Sequence, residues 1–324
     1  MPRVTAQQVA LAAGVSISAV SRTFTEGGSV SPETRARVEA AAAQLGYRPN
    51  QLARGLMTGR TRLVAVLLAG VDEPALAPAL GRIVERLQLH GLHPLLARLD
   101  SEPGAAGALD LLMQYQADAA LIVGAELPDG FARDCQRSGV PALHLFGQRA
   151  ARNPVPVIGA DEAAAGTEVA ARLLAGKRKR LACLTATPAA DAVTAFAAAV
   201  AAVRGASAQL ADVAASSVDE GRRAALALLA GARPPQALFC TDDRLALGAL
   251  DACRELGLDV PGTVAIVGWG ALGLGAGLAT VRLPVVAAVD EAVERLAAAL
   301  AAPGSKLAGK RLQCEQVAGA SAPG

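Results

Sequence analysis

The residues best suited to specific chemistry lie close to the N-terminus. From Gly14 the chain reads Gly-Val-Ser-Ile-Ser-Ala-Val-Ser-Arg, so Ile17, Ser18, Ser21 and Arg22 fall within two turns of one helix. An arginine on the outward face of such a helix can donate two hydrogen bonds to a guanine edge in the major groove of DNA. This stretch therefore predicts sequence-specific DNA binding, with a generic helical hairpin as the alternative.

Two short helices and a tight turn must position that face. Thr5 and Ser16 are each placed to cap a helix N-terminus, and Gly14 permits the turn between the two helices. The apolar residues expected to point inward are Val9, Val15 and Val20. This arrangement is a helix-turn-helix.

A third helix completes a small head. Ser31 is its expected N-cap, Pro32 its first residue and Gly46 its end. Its apolar stripe consists of Val38, Ala42 and Leu45. Residues 1–62 carry a net charge of +5, whereas the rest of the chain carries −3. A basic head on a mildly acidic body is suited to a polyanion such as nucleic acid.

A short linker segment follows the head. It runs from Tyr47 to Gly59, is capped by Asn50, is weakened by Gly55, and is too short to form a stable helix alone. The sequence thus predicts a helix-turn-helix domain over residues 1–48, a hinge over 49–62 and a larger core over 63–324.

These motifs resemble those of the LacI/GalR family of bacterial transcription regulators. The resemblance runs from Val4 through the pattern Tyr-Arg-Pro-Asn-x-x-Ala-Arg-x-Leu ending at Leu56, and continues at intervals almost to the C-terminus. It implies a homodimeric repressor that binds a two-fold-symmetric operator in double-stranded DNA, with tetramers left open. A small effector would modulate the affinity for the operator.

The resemblance also implies how the hinge acts. In the family this segment becomes a helix when two subunits meet on DNA, and a leucine, here Leu56 beside Ala53, is wedged into a minor-groove step. Packing of Leu56 on the core is the alternative. The other residues expected at the DNA are Thr5, Ser16, Ser31 and Asn50.

The body alternates β-type runs with helical stretches. The runs are 63–68, 92–99, 119–123 and 141–146 in the first half and 180–184, 209–213, 237–240 and 264–267 in the second. Such alternation predicts an α/β core with parallel sheets covered on both faces. The resemblance implies two periplasmic-binding-protein-like lobes, joined by crossings near residue 160 and residues 285–290. A last strand over 312–316 is expected to return to one lobe.

The first helix of the body carries an apolar stripe at helical spacing. Its members are Leu76, Leu80, Ile83 and Leu87. Such a stripe packs in a core or, as the resemblance implies, contributes to the subunit interface. The sequence leaves both interpretations open.

The cleft between the lobes is the expected effector site. Residues 237–248 resemble a family motif whose second acidic residue, here Asp243, bonds a ligand hydroxyl; capping of the next helix is the alternative. Arg149 and Leu76 match cleft positions of the family, and Trp269 supplies a stacking face. A carboxylate and a guanidinium suit a sugar, a sugar acid or a nucleoside.

Several aromatic, basic and acidic positions by which the family holds a sugar carry other residues. These are Ala75, Ala192, Ser216 and Gly270. Either the effector differs from a common sugar, or the cleft no longer responds to a small molecule.

Composition excludes several other classes. The chain has 324 residues, 52% hydrophobic, and no apolar run of the roughly 18 residues that a membrane helix needs. The N-terminus lacks a leader pattern, which predicts the cytoplasm. The five cysteines form no C-x-x-C pair, and His90 and His93 flank Gly91 at an expected helix end. No disulfide framework, metal site or cofactor is therefore predicted.

Two further motifs have weaker functional interpretations. Gly268-x-Gly270-x-x-Gly273 satisfies a dinucleotide-binding fingerprint, but no helical pattern follows it, so an NAD-dependent enzyme is the weak alternative to a non-enzyme. The basic run Lys177-Arg-Lys-Arg180 is interpreted as a solvated turn, with a second DNA site as the alternative.

Overall fold

The computed structural model of the chain describes residues 4–25, 27–48, 55, 59–69, 76–99, 104–124, 130–147, 155–186, 190–273, 277–302 and 304–322. The chain forms two compact units, Met1–Thr61 and Arg62–Gly324. Four predicted site residues lie outside the described residues, namely Asn50, Ala53, Leu56 and Arg149.

The first unit contains the predicted helix-turn-helix and third helix. The helices are α1 (Ala6–Ala13), α2 (Ile17–Thr23) and α3 (Pro32–Leu45). Gly14 and Gly46 end α1 and α3 in the left-handed conformation, with φ of 62° and 67°. A small core joins the three helices through Val9, Val20 and Val38. Leu45 is exposed and Ala41 takes its predicted place in this core, because the buried stripe of α3 ends at Ala42, one turn earlier than predicted.

The second unit is an α/β core of two lobes. Lobe 1 contains β1 (Leu63–Leu68), α4 (Leu76–Leu89), β2 (His93–Arg98), α5 (Gly104–Gln114), β3 (Ala119–Val123), α6 (Phe131–Arg137), β4 (Ala142–Leu145) and β5 (Val157–Ala160). Lobe 2 contains α7 (Glu162–Ala175), β6 (Arg180–Thr185), α8 (Asp191–Ala201), β7 (Ser207–Asp212), α9 (Val218–Leu229), β8 (Ala237–Cys240), α10 (Asp243–Glu255), β9 (Ala265–Trp269) and β10 (Ala279–Arg282). The chain ends with α11 (Val285–Ala301), β11 (Lys310–Leu312) and β12 (Glu315–Val317).

Each lobe is built on a six-stranded sheet. The strand orders are β11-β5-β4-β3-β1-β2 and β12-β10-β9-β8-β6-β7, and β12 alone pairs antiparallel, with β10. Hydrophobic clusters cover both faces of each sheet. The predicted parallel, doubly covered sheets are therefore confirmed, although β5 and β10 had not been predicted.

The chain crosses between the lobes at three places. It passes from β5 to α7 next to residue 160, as predicted, and from β10 to α11, a helix that packs on the lobe 1 sheet, just before residue 285. The third crossing runs from β11 in the first sheet to β12 in the second. The predicted single strand over 312–316 is therefore wrong, because Gln313 and Cys314 separate these two strands.

The three crossings also locate the cleft. Strands β5, β10 and β11 each reach the other lobe within a few residues of their carboxyl ends. The carboxyl ends of both sheets therefore lie on the side where the lobes meet, which is where open α/β sheets bind ligands. Within the described residues, no helix is both long and apolar enough to span a lipid bilayer.

Candidate DNA interface and effector cleft

The outward face of α2 presents the predicted set of side chains. Ile17 is 52% exposed, and Ser18, Ser21 and Arg22 are exposed as well. The inward face consists of Ala19, Val20 and Thr23. Arg22 Nε donates to the Ser18 carbonyl oxygen at 3.3 Å, which orients its side chain along the helix surface. These four side chains thus form one exposed face of α2.

The three hydroxyl residues predicted as caps do cap the helices. Thr5 forms a capping box with Gln8, and Ser16 and Ser31 accept from the backbone N–H groups of Ala19 and Thr34, each at 3.2 Å. These hydroxyls define where the helices begin. Any contact of the three residues with DNA stays a prediction.

Two arginines that the sequence interpretation treated only as charge hold the recognition helix in place. Arg35 on α3 donates to the carbonyl oxygens of Thr23 at 2.8 Å and Gly28 at 3.2 Å. Arg37 donates to the carbonyl oxygen of Gly14 at 3.0 Å. The chain also passes so close to α2 that a Cβ at Gly28 would collide with the Arg22 carbonyl. Helix α3 thus holds the C-terminal end of α2 and the turn that precedes α2.

A carboxylate and a guanidinium lie together at the carboxyl end of β8. Asp242 caps α10 and accepts from Arg244 through the backbone nitrogen at 2.7 Å, Nε at 2.9 Å and Nη2 at 2.8 Å. The Arg244 side chain is 34% exposed and that of Asp242 is 15% exposed. The pair was missed because the sequence motif directed attention to the next residue.

Asp243 itself is an internal strut. It is 2% exposed, and its oxygens accept from Leu272 N at 2.7 Å and Thr280 Oγ1 at 2.6 Å. Burial raises the pKa of the Asp243 carboxyl, against the lowering effect of its donors, which include the Trp269 backbone N–H. Asp243 thus ties α10 to β10 and to the loop after β9. The capping alternative for Asp243 is wrong, because Asp242 is the cap, and a contact of the buried Asp243 carboxylate with a ligand hydroxyl stays a prediction.

The other predicted cleft residues differ in their placement. Trp269 ends β9 half-buried, with its ring 5.8 Å from that of Phe239, so part of the indole is anchored and part stays accessible. Leu76 is 8% exposed in the lobe 1 core, because it is the first residue of the buried stripe of α4. A contact of Leu76 with an effector stays a prediction.

The rim of lobe 1 is held by polar contacts at the ends of β4 and β5. His144 is 1% exposed and its Nε2 pairs with the Gly124 carbonyl oxygen at 2.7 Å. Burial lowers the pKa of His144 to about 4, so its imidazole is neutral near pH 7. A Cβ at Gly147 would collide with that ring. Arg311 donates to the carbonyl oxygens of Gly147 and Ala160, each at 3.2 Å.

The apolar stripe of α4 serves the core. Ile83 and Leu87 are buried with Leu76, and Leu80 packs against the same cluster. The neighbouring face carries Arg82, which pairs with Asp290 of α11 at 2.7 Å. A contribution of α4 to a subunit interface stays a prediction.

The glycine motif after β9 has a packing role. The described residues after β9 lead into β10 rather than into a helix, so no helix N-terminus there faces a pyrophosphate. A Cβ at Gly268 would collide with the Asp243 carboxylate, which explains that glycine. Among the described residues no group of His, Cys, Asp or Glu is arranged to hold a metal ion.

Comparisons with known proteins match both units. The family model "Bacterial regulatory proteins, lacI family" matches residues 5–50, and the model "Periplasmic binding protein-like domain" matches residues 170–322. The first unit thus matches the helix-turn-helix region of lacI-family regulators, and the C-terminal half of the core matches a periplasmic-binding-protein-like domain. The HTH-type transcriptional repressor CytR of Escherichia coli K12 is 28% identical over 272 residues, which cover 82% of this chain and 79% of CytR.

Solved structures of LacI-family proteins share the fold along the whole chain. A transcriptional regulator from Silicibacter pomeroyi aligns with a TM-score of 0.78 and 25% identity over 98% of this chain and 99% of its own. The lac repressor dimer bound to operator and the anti-inducer ONPF aligns with a TM-score of 0.82 and 23% identity over 99% of both chains. The predicted fold class is confirmed.

Proposed function

We propose that this chain is a transcriptional repressor of the LacI family that binds a two-fold-symmetric DNA operator as a homodimer and changes its affinity when a small effector occupies the cleft. The exposed face of α2, held from behind by α3, is the observation that carries the proposal. CytR is named a transcriptional repressor, and the lac repressor was solved as a dimer on its operator. A regulator of this kind is not an enzyme and acts where the DNA is, in the cytoplasm.

The side chains of α2 suggest what the operator contains. Arg22 is suited to a guanine through two parallel hydrogen bonds, and Ile17 is suited to the methyl group of a thymine. Ser18 and Ser21 are short and accept or donate, so they tolerate more than one base. In a dimer each half-site would therefore contain a guanine and a thymine at fixed spacing.

The remaining predicted DNA residues have supporting roles. Thr5, Ser16 and Ser31 stand at helix N-termini, where exposed N–H groups attract phosphates. For Leu56, Ala53 and Asn50 we keep the role that the family resemblance implies, a hinge that enters the minor groove and kinks the operator.

The cleft is proposed to hold a small polar effector. Asp242 can accept a hydroxyl hydrogen bond while Arg244 holds its orientation, and the accessible part of Trp269 offers an apolar face. Arg149 keeps its proposed place on the opposite rim. A sugar, a sugar acid or a nucleoside combines the hydroxyl groups and the ring that these side chains would contact.

Effector and operator are then coupled by linkage. An effector that binds better to one arrangement of the two lobes shifts the population toward it, and operator affinity changes by the same factor as effector affinity. The three short crossings between the lobes are the segments that would flex.

Selection of genomic fragments by the purified protein, followed by footprinting, tests the proposal. We expect a symmetric protected site whose log affinity falls with log salt with a slope of roughly −6 to −9, the value for a dimer that touches about seven to ten phosphates. Arg22→Lys serves as the matched control, since it keeps the charge and loses the bidentate geometry. If no fragment is enriched, even with candidate small molecules present, the proposal fails.

A further inference from the structure

One end of lobe 2 carries an unusual concentration of positive charge. The segments 176–180, 202–206, 231–236 and 256–263 precede β6, β7, β8 and β9, so they lie together at the amino ends of these parallel strands. We call this surface the basic pole. It is the opposite end of the sheet from the cleft, and the proposed effector site leaves it unused.

Hydrogen bonds join these four segments into one surface. The backbone nitrogens of Lys179 and Arg180 both donate to Gln236 Oε1, at 2.9 and 3.2 Å. Arg180 Nε donates to the Pro234 carbonyl oxygen at 2.9 Å. The two remaining segments are attached by Lys179 Nζ to the Arg204 carbonyl oxygen at 3.4 Å and by Arg178 Nη2 to the Pro261 carbonyl oxygen at 2.9 Å. The cations of the four segments therefore form one continuous patch rather than separate charged turns.

The patch is strongly and one-sidedly charged. Its segments contain six arginines and lysines and a single acid, Asp259. Five of the cations are exposed, namely Lys177, Lys179, Arg180, Arg204 and Arg233. Among the described residues, none of the six cations forms an ion pair. Nearby cations behave differently, since Arg222 and Arg254 are paired with Glu255 and Asp251.

Helix dipoles do not account for this charge. Helices α7, α8, α9 and α10 all end at the basic pole, and each C-terminus carries about −0.5 charge, so together they offset about two cations. The patch carries a net +5 in a core whose overall charge is −3. A surplus of positive charge faces solvent without a partner in the described part of the chain.

The character of the surface favours a phosphate backbone over a protein. Protein interfaces are centred on aromatic and other large apolar side chains, whereas this surface has no aromatic residue and one exposed large apolar residue, Leu256. Lys and Arg side chains are common donors to DNA phosphates, and exposed Lys and Arg side chains are what the pole offers. We propose that the basic pole binds the backbone of a second segment of duplex DNA without reading its sequence.

This inference goes beyond the proposed function, in which only the head and the hinge contact DNA. A dimer on its operator would carry two basic poles, one per subunit, and would hold flanking or distant DNA against the core. From the sequence alone, Lys177 to Arg180 is interpreted as a solvated turn. In the structure it is part of the basic pole, because three further segments add Arg204 and Arg233 to the same surface.

The test uses full-length protein on an immobilised operator. After free protein is washed away, a labelled duplex of random sequence is added and its capture is measured across a salt series. The pole variant combines Lys177→Gln, Lys179→Gln, Arg204→Gln and Arg233→Gln. Of the side chains that bridge segments it keeps Arg178 and Arg180 and removes only that of Lys179, whose bond to the Arg204 carbonyl oxygen is the longest of these, at 3.4 Å. The matched control removes the same charge from exposed cations of lobe 1 by Arg133→Gln, Arg137→Gln, Lys306→Gln and Lys310→Gln.

We expect the wild type and the lobe 1 control to capture the second duplex. This capture should weaken by about 100-fold between about 50 and 200 mM salt, as about four phosphate contacts require. The pole variant should lose most of the capture and the salt dependence while its operator footprint stays unchanged.

The proposal is overturned if the pole variant captures the duplex as well as the wild type, which would point to additional heads in a tetramer. It is also overturned if both quadruple variants lose capture equally, which would indicate net charge rather than this patch. Displacement of the duplex by excess polyglutamate but not by unlabelled duplex would indicate that the patch binds an acidic protein rather than DNA. Absence of an operator footprint would be a failure of the proposed function and is read separately.

Discussion

Replacing Thr280 by valine tests whether Asp243 holds the cleft loop of lobe 2. The Thr280 hydroxyl donates to Asp243 Oδ1 at 2.6 Å, and the two residues are 5% and 2% exposed. Valine keeps the shape of threonine and removes the donor. Because a hydrogen bond to a charged group contributes about 1.5–3 kcal/mol, Thr280→Val should lower the free energy of unfolding by about that amount at neutral pH.

A second threonine in the same lobe provides the control. Thr241 Oγ1 donates to the carbonyl oxygen of Leu184 at 3.3 Å, a longer bond to a neutral acceptor. Thr241→Val should therefore cost only about 0.5–1 kcal/mol. In an Asp243→Asn background the acceptor is neutral, so Thr280→Val should cost about 1 kcal/mol less than in the wild type. This difference is the coupling energy of the pair.

The assay has a built-in reporter. Trp269 is the only tryptophan of the chain, and its backbone N–H also donates to the Asp243 carboxylate. Urea unfolding followed by its fluorescence measures stability, and its emission maximum in the native state reports movement of the loop. If Thr280→Val costs no more than Thr241→Val, or if Asp243→Asn leaves that cost unchanged, the strut assignment is refuted.

Four further predictions concern the head, the hinge and lobe 1. Arg22→Ala should relax base preference and cost about 1–3 kcal/mol on the preferred site, and a selection that returns an unchanged motif would remove Arg22 from base reading. Arg35→Gln releases the end of α2, so it should weaken operator binding while the selected motif stays the same; a changed motif would contradict a purely positioning role. Leu56→Ala should reduce DNA bending as well as affinity, and an unaltered bend angle in a gel-phasing assay would defeat the wedge. His144 has its pKa lowered from an ordinary 6.5 to about 4, so stability present above pH 6.5 should fall by about 3 kcal/mol as pH drops to 4. Urea midpoints should show this loss flattened in His144→Gln, and an equal loss in both proteins would count against the assignment.

The features that the sequence determined are those whose causes are local. A capping hydroxyl bonds a backbone N–H three residues further on, as Thr5, Ser16 and Ser31 do, and a glycine such as Gly14 or Gly46 ends a helix through its own φ. Apolar runs of five or six residues likewise predict buried strands, because the run itself is a local feature of the sequence. The helix-turn-helix and most strands could therefore be read from spacing alone.

The cleft could be located by family resemblance but not resolved. Two adjacent aspartates in the same motif have different fates, since Asp242 caps α10 at the surface and Asp243 turns inward to partners 29 and 37 residues away. Nothing in the local spacing distinguishes them. Their separation depends on where the loop after β9 and strand β10 pack.

What only the tertiary structure decided are contacts between segments distant along the chain. In the sequence, Arg35 and Arg37 are indistinguishable from ordinary surface charges. Only the packing of α3 brings them to the carbonyl oxygens of Thr23 and Gly14. The two short strands β11 and β12 belong to different sheets, because β11 pairs with β5 and β12 pairs with β10. No short stretch of sequence indicates which sheet edge each strand joins. The basic pole exists because a parallel sheet brings the amino ends of its strands to one edge, so charges spread over about 80 residues become neighbours.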